Sequence, residues 1–180
     1  MEPPGRAELR NANWNCGPSY CTMGAMAGWG LTVLRIAVGL VFVAHGAQRL
    51  FGAFGGGGPD GTSAYFAQLG LEPSYPLALV WGIIEFGCGL LVFLGAYTRL
   101  AAVPLALGMV VAIWKAHLVN GFFINWALAA GIGHGYEFHL VLIAACACLS
   151  LEGAGELSVD QLLHRNAEST IAGRQRIRGM

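Results

Sequence analysis

Charged residues are scarce in this chain of 180 residues: they make up 11% of it, whereas 56% of the residues are hydrophobic. Soluble domains carry about 25% charged residues, and a soluble protein of this size could not bury so much apolar surface. Lys and Arg together number 10 and so do Asp and Glu, so the chain has no net charge, which excludes the basic surface of a nucleic-acid-binding protein. The composition therefore predicts an integral membrane protein whose first partner is the lipid bilayer.

The motifs of common redox and metal enzymes are also missing. No cysteine pair has the C-x-x-C spacing of a thiol relay, and neither H-E-x-x-H nor H-x-x-E-H is present. The glycine run 55–58 is not followed by Gly-Lys-Ser/Thr, so it predicts a flexible link and no phosphate-binding loop. We therefore expect no metal site and no covalently bound cofactor, and we assign packing roles to Cys88, Cys146 and Cys148.

Four apolar stretches are long enough to be considered as membrane spans: residues 29–48, 76–97, 100–119 and 136–151. They predict an all-α fold, an integral membrane antiparallel four-helix bundle. In the loop between spans one and two, Tyr65, Phe66 and Leu69 share one side of a short segment that Ser63 can cap. This pattern predicts a short outer surface helix lying on the membrane.

The arginines indicate the orientation of the bundle. Most of them precede span one, separate spans two and three, or follow span four: Arg6, Arg10, Arg99, Arg165, Arg174, Arg176 and Arg178. This bias predicts that both termini are cytoplasmic. We expect a disordered cytoplasmic N-terminal segment (1–28), a domain of four transmembrane helices (29–151) and a cytoplasmic C-terminal tail (152–180). Met23 and Met26 are alternatives to Met1 as the start of translation.

With alternating helix directions, His45, His117 and His139 all fall near the outer ends of their spans. Lys115 and His117 are two residues apart, as are Glu137 and His139, so only one member of each pair can point squarely inward. A histidine exchanges a proton near neutral pH, which suits general acid–base catalysis. We assign catalysis to His117, Glu137 and His45, in a pocket closed by the turn 121–123. Substrate binding is assigned to Asn120, Phe122, Phe123, Gln48 and Tyr136.

Two alternatives compete with this site. Histidines at helix ends can simply be hydrated, and histidines can also bind a metal or haem, although no ligand motif is present. Deeper in the membrane, Arg35 and Glu85 lie at depths that an arginine side chain can connect. We predict that they form a buried ion pair between spans one and two, with a proton relay through Glu85 as the alternative.

Ordered motifs along residues 31–163 resemble those of the DoxX family of small four-span bacterial membrane proteins. The first are Leu34-Arg35, His45-Gly46-x-Gln48-Arg49-Leu50-Phe51-Gly52, Glu85 with Gly87-x-Gly89, and Leu94-Gly95-x-x-Thr98-Arg99-x-Ala101-Ala102. The later ones are His117-x-x-Asn120-Gly121-Phe122-Phe123, Gly135-Tyr136-Glu137-Phe138 and Gly153-x-Gly155-x-x-Ser158-x-Asp160. The chain departs from the family at Gln48-Arg49, where Gln-Lys is usual, and in its added N-terminal segment.

The resemblance implies redox-linked work in the membrane. Relatives include the membrane subunit of a thiosulfate:quinone oxidoreductase, and another resembles an anchor that gathers a superoxide dismutase and a thiol oxidoreductase. We therefore expect a component of a redox or sulfur-handling system that contacts a quinone or another small oxidisable molecule near the outer face. The alternative is a non-catalytic scaffold for soluble redox proteins. Because no nucleotide motif is present, electrons would pass through a bound quinone or a partner protein.

Overall fold

The computed structural model describes residues 18–163, with side chains from Gly28 onward. Its helices are α1 (Pro18–Phe51), α2 (Gly58–Gln68), α3 (Ser74–Leu94), α4 (Thr98–Ala112) and α5 (Glu137–Glu152). A short 3-10 turn at Ala53–Gly55 follows α1, and α4 continues through a π-helical turn at Ile113–His117 and a 3-10 turn at Leu118–Asn120. This part of the chain contains no β-strand, so the predicted all-α class is confirmed.

Three helical segments are long and apolar enough to cross a membrane: Gly28–Phe51, Ser74–Leu94 and Thr98–Asn120. They coincide closely with the first three stretches predicted from hydropathy. The fourth stretch forms α5, which has 16 residues. At about 1.5 Å per residue this helix reaches about 24 Å, which is shorter than a bilayer core of about 30 Å.

Helix α1 packs mainly along α3, and α4 packs mainly along α5. Glycines permit the first of these contacts, because a Cβ atom at Gly39 would lie 2.6 Å from Phe93 Cα and one at Gly89 would lie 2.9 Å from Phe42 Cβ. The two helix pairs enclose a core whose most buried members include Phe42, Val92, Leu105, Cys146 and Leu149. Cys146 thus has the packing role that the sequence predicts.

A short helix does lie between the first two spans, but it begins earlier than predicted. Helix α2 starts at Gly58 with Pro59 in its first turn, and a proline is favourable there because its missing N–H would have no helical partner. Ser63 therefore lies inside the helix, 3.1 Å from Ser74 Oγ, and does not cap it. Within the glycine run, Gly56 is closely packed, since a Cβ atom there would lie 2.6 Å from Gln48 O.

Arg35 is 2% exposed and binds main-chain oxygens at the end of α3. Its Nη1 donates to Phe93 O at 2.7 Å and its Nη2 to Leu157 O at 3.2 Å. The last carbonyl groups of a helix carry partial negative charge and lack helical partners, so a cation is stabilised there. The predicted Arg35–Glu85 ion pair is wrong, because these carbonyl groups take the guanidinium and Glu85 contacts Arg49.

Residues 153–163 fold back onto the ends of the helices. The Asp160 carboxylate accepts hydrogen bonds from the N–H groups of Tyr97 (2.7 Å) and Thr98 (3.1 Å), at the start of α4. Thr32 Oγ1 donates to Glu156 O at 2.7 Å. We call Arg35, Thr32, Asp160 and the main-chain groups that they bind the main-chain clamp. Part of the predicted C-terminal tail is therefore folded.

The structure describes only part of each of the two predicted terminal segments. Residues 18–28 of the first segment are helical and belong to α1, so the helix begins about ten residues before the predicted span. Residues 1–17 and 164–180 lie outside the described residues. Met23 and Met26 fall within α1, and the start of translation stays a prediction.

Candidate functional site

A cavity of about 380 Å³ lies between α1, α3, α4 and α5, away from the main-chain clamp. Six ionisable side chains line it: His45, Arg49, Glu85, His117, His134 and His139. We call this cavity the polar chamber. The structure thus brings together the three histidines that the helix directions predicted to converge, and it adds a fourth histidine and an ion pair.

Glu85 and Arg49 form the ion pair of the polar chamber. Arg49 Nε lies 2.9 Å from Glu85 Oε2; the Arg49 side chain is 29% exposed and that of Glu85 is 1% exposed. Glu85 Oε2 nevertheless has no hydrogen bond of acceptable direction within the described residues. The carboxylate is therefore neutralised by a nearby cation while one of its oxygen atoms keeps an unused acceptor position.

His117 and His139 lie against each other in the wall of the chamber. Their ring centroids are 4.1 Å apart and the rings are tilted by 40°. His139 Nδ1 is buried and has no hydrogen-bond partner among the described residues. Since a buried polar atom without a partner costs about 1 to 3 kcal/mol, this nitrogen is a free position at which a ligand would gain a hydrogen bond.

The π-helical turn at Ile113–His117 determines which side chains of α4 reach the site. A π turn inserts one residue into the helical repeat and shifts the facing of the residues around it. Lys115 and His117 both line a cavity beside this turn, although residues two apart on a regular helix point to nearly opposite sides. The π turn therefore lies directly at the candidate site, where such turns are frequently found.

The loop between α4 and α5 supplies His134, which the sequence analysis missed. His117 Nδ1 contacts His134 O at 2.8 Å, and Asn120 Nδ2 donates to the same oxygen at 3.2 Å. Asn120 therefore positions the loop and does not line the chamber. Loop histidines carry no helical periodicity, so the only signal available for His134 was its proximity in sequence to the motif that starts at Gly135.

Several predicted site residues do not line the polar chamber. The direction in which α5 turns its side chains explains the most important case, Glu137. Glu137 does not line the polar chamber, whereas His139, two residues later on α5, does. The predicted choice between these two residues is thus reversed. The turn 121–123 does not close the pocket either, because Phe122 stacks edge-on against Tyr136 and Phe123 is 74% exposed. Gln48 packs against Gly56.

A second cavity of about 250 Å³ adjoins the first, and we call it the apolar groove. It runs between α3 and α4 beneath α2, and its apolar walls come from these helices: Tyr65, Phe66, Leu69, Leu77, Val80, Trp81, Val111 and Ala112. Trp81 packs directly on Gly108, where a Cβ atom would collide with the indole ring. The groove and the chamber share four lining residues: Arg49, Met109, His117 and His139.

The chemistry available in the polar chamber is proton exchange and charge stabilisation. Imidazole groups donate and accept protons near neutral pH, and the Arg49 guanidinium can stabilise negative charge on an oxygen. Among residues 18–163, no group of three or more His, Cys, Asp or Glu side chains is arranged to hold a metal ion.

Comparisons with known proteins agree on one family. The DoxX family model matches residues 30–118. The chain is 33% identical over 138 residues to the "Uncharacterized membrane protein Rv3486" of Mycobacterium tuberculosis, covering 74% of this chain and 81% of that protein. It is 30% identical over 140 residues to the "Putative oxidoreductase CatD" of Bacillus subtilis, covering 78% of this chain and 91% of that protein. No solved structure is significantly similar to the chain. The chain therefore belongs to the DoxX family of membrane proteins.

Proposed function

We propose that this protein is a membrane component of a redox system and that the polar chamber binds the head group of a quinone. The observation that carries the proposal is the unpartnered, buried His139 Nδ1 beside His117, in a chamber that also holds the Arg49–Glu85 ion pair. A quinone head group presents two carbonyl oxygens, and each can accept a hydrogen bond. The name of the Bacillus subtilis relative, an oxidoreductase, is consistent with this class of function.

The chamber residues have the properties that quinone reduction requires. When a quinone gains two electrons it also takes up two protons, one on each oxygen. The chamber histidines supply both protons, one to each oxygen, while Arg49 stabilises the negative charge that develops before a proton arrives. Glu85 keeps Arg49 in place and balances its charge. The electrons come from a partner protein or a small oxidisable molecule.

The finer topology is part of the proposal. We propose that α5 is a fourth span, that both termini are cytoplasmic in a bacterial inner membrane, and that the polar chamber lies near the outer face. Exposed apolar side chains of the α4–α5 loop, such as Trp126 at 80% and Phe123 at 74% exposure, suit the membrane interface next to a short span. Labelling with a membrane-impermeant thiol reagent in a cysteine-free background tests this orientation. Asp60→Cys should react from outside and Thr170→Cys should not; equal labelling of both from the outside contradicts it.

Extraction of the protein from its native membranes tests the function directly. The purified protein should retain quinone, identified by mass spectrometry of the extract, at a ratio well above that of bulk lipid. Recovery of a dismutase or a thiol oxidoreductase in stoichiometric amount without quinone would instead favour the non-catalytic scaffold.

A matched pair of variants locates the quinone. His139→Gln removes the imidazole at the chamber wall, whereas Glu137→Gln changes a residue two positions away that lines neither cavity. Because a hydrogen bond inside a buried site contributes about 1 to 3 kcal/mol, His139→Gln should weaken quinone binding by about tenfold or more. Glu137→Gln should bind as the wild type does. Equal binding by both variants would remove the chamber as the site.

A further inference from the structure

We propose that the apolar groove receives the hydrocarbon tail of the quinone and opens sideways into the lipid between α3 and α4. The inference rests on the proposed function, since it assigns the tail of the same ligand whose head group the chamber holds. Its basis is the continuity of the two cavities: His117, His139, Arg49 and Met109 line both of them. A ligand whose polar end touches these side chains in the chamber has its other end directed into the groove.

The walls of the groove are mostly apolar and therefore suit a hydrocarbon chain. Both long walls are built from helices that are apolar enough to cross a membrane, and their contribution to the lining is hydrocarbon or aromatic apart from Lys115 and the histidines. Trp81 packs so closely on Gly108 that its indole ring overlaps the position of a Cβ atom there, and both residues line the groove. A polar ligand would leave its hydrogen-bonding groups unpaired against these walls.

The position of the groove supports entry from the bilayer. Val80 is 54% exposed and Val111 is 45% exposed, so the outer edges of the groove lie on the outward surface of the two helices. In a membrane this surface faces lipid tails. A tailed quinone, which is dissolved in the bilayer, can therefore enter the chamber head first without passing through water.

A pair of adjacent valines provides the test. Val111 lines the groove, while Val110 has a similar exposure of 50% and lines neither cavity. The probes are a tailless quinone and the same quinone with one prenyl unit, titrated onto the purified full-length protein in lipid nanodiscs. Each buried CH₂ group favours binding, so the prenylated probe should bind the wild type at least about tenfold more tightly than the tailless one. Val111→Trp should lose this tail-dependent gain and keep the affinity for the tailless probe.

The control and a second variant separate the groove from the rest of the protein. Val110→Trp should retain the full gain, which also corrects for partition of the tailed probe into lipid. Val80→Trp, which fills the groove from α3, should behave as Val111→Trp does. The inference is overturned if both groove variants keep the gain, or if they weaken the tailless and tailed probes equally. Failure of the wild type to bind either probe would instead defeat the proposed function itself.

Discussion

Ionisable residues gather in two regions of this molecule, around buried Arg35 in one and buried Glu85 in the other, and their partners differ. In the main-chain clamp, Arg35 and Asp160 bind carbonyl and N–H groups at helix ends. In the polar chamber, Glu85 and the histidines face other side chains across a cavity. Main-chain partners are present in every fold, so a charged side chain that binds them stabilises the structure. Ionisable side chains from several helices that line one cavity around a buried carboxylate indicate a place for a ligand. Burial alone does not distinguish the two cases.

The largest effect that this comparison predicts is the loss of Arg35. Arg35→Met removes charge-assisted hydrogen bonds to Phe93 O and Leu157 O, each contributing about 1.5 to 3 kcal/mol, so the free energy of unfolding should fall by about 3 to 6 kcal/mol. Denaturant unfolding in mixed micelles would measure this loss. Arg99→Met is the control, because Arg99 is exposed and donates to only one main-chain oxygen, of Glu152. A stability loss no greater than that of the control would contradict the structural role of Arg35 in the main-chain clamp.

A double-mutant cycle sharpens the comparison by asking which arginine Glu85 contacts. Arg49→Met and Glu85→Leu should show a coupling energy of about 0.5 to 3 kcal/mol, because the two groups are in contact. Arg35→Met and Glu85→Leu should be additive within about 0.5 kcal/mol, because they share no partner. Unfolding free energies of the three single and two double variants, together with that of the wild type, would supply both values. Coupling of Glu85 to Arg35 in place of Arg49 would reinstate the ion pair predicted from the sequence.

Asp160 should show a smaller structural effect without a functional one. Its carboxylate caps the first residues of α4, and loss of such a cap costs about 0.5 to 2 kcal/mol. Asp160→Ala should lower stability by this amount and leave quinone affinity unchanged. Glu152→Ala, at an exposed position that has no side-chain ion pair among the described residues, should leave both properties unchanged. Weaker quinone binding in Asp160→Ala would mean that the two regions are not independent.

The sequence predicted well those features that depend on periodicity and helix direction. Hydropathy located the helices, and alternating directions brought His45, His117 and His139 to one chamber. It failed for Arg35, because the carbonyl groups that bind it belong to the main chain and have no signature in the residue pattern. The ion pair was therefore assigned to the only deep carboxylate available, Glu85.

The second feature that could not be predicted was the direction in which a side chain points from its helix. Helix α5 is apolar around most of its circumference, so its sequence does not show whether Glu137 or His139 points inward. On the continuation of α4, both Lys115 and His117 line the apolar groove, and no residue type there predicts the π turn in which they lie. His134 lies in a loop, where its position depends on the hydrogen bonds of His117 and Asn120 to its carbonyl oxygen.

The central claim is that the polar chamber is functional and the main-chain clamp is structural. The most direct test is to measure how far the unfolding temperature rises on titration with tailless quinone. A ligand that binds only the folded protein stabilises it by an amount that rises with the ratio of ligand concentration to Kd. The wild type and Asp160→Ala should show the same quinone-dependent rise from different starting temperatures, and His117→Gln should show little or none. An undiminished rise in His117→Gln, or its loss in Asp160→Ala, would contradict the account.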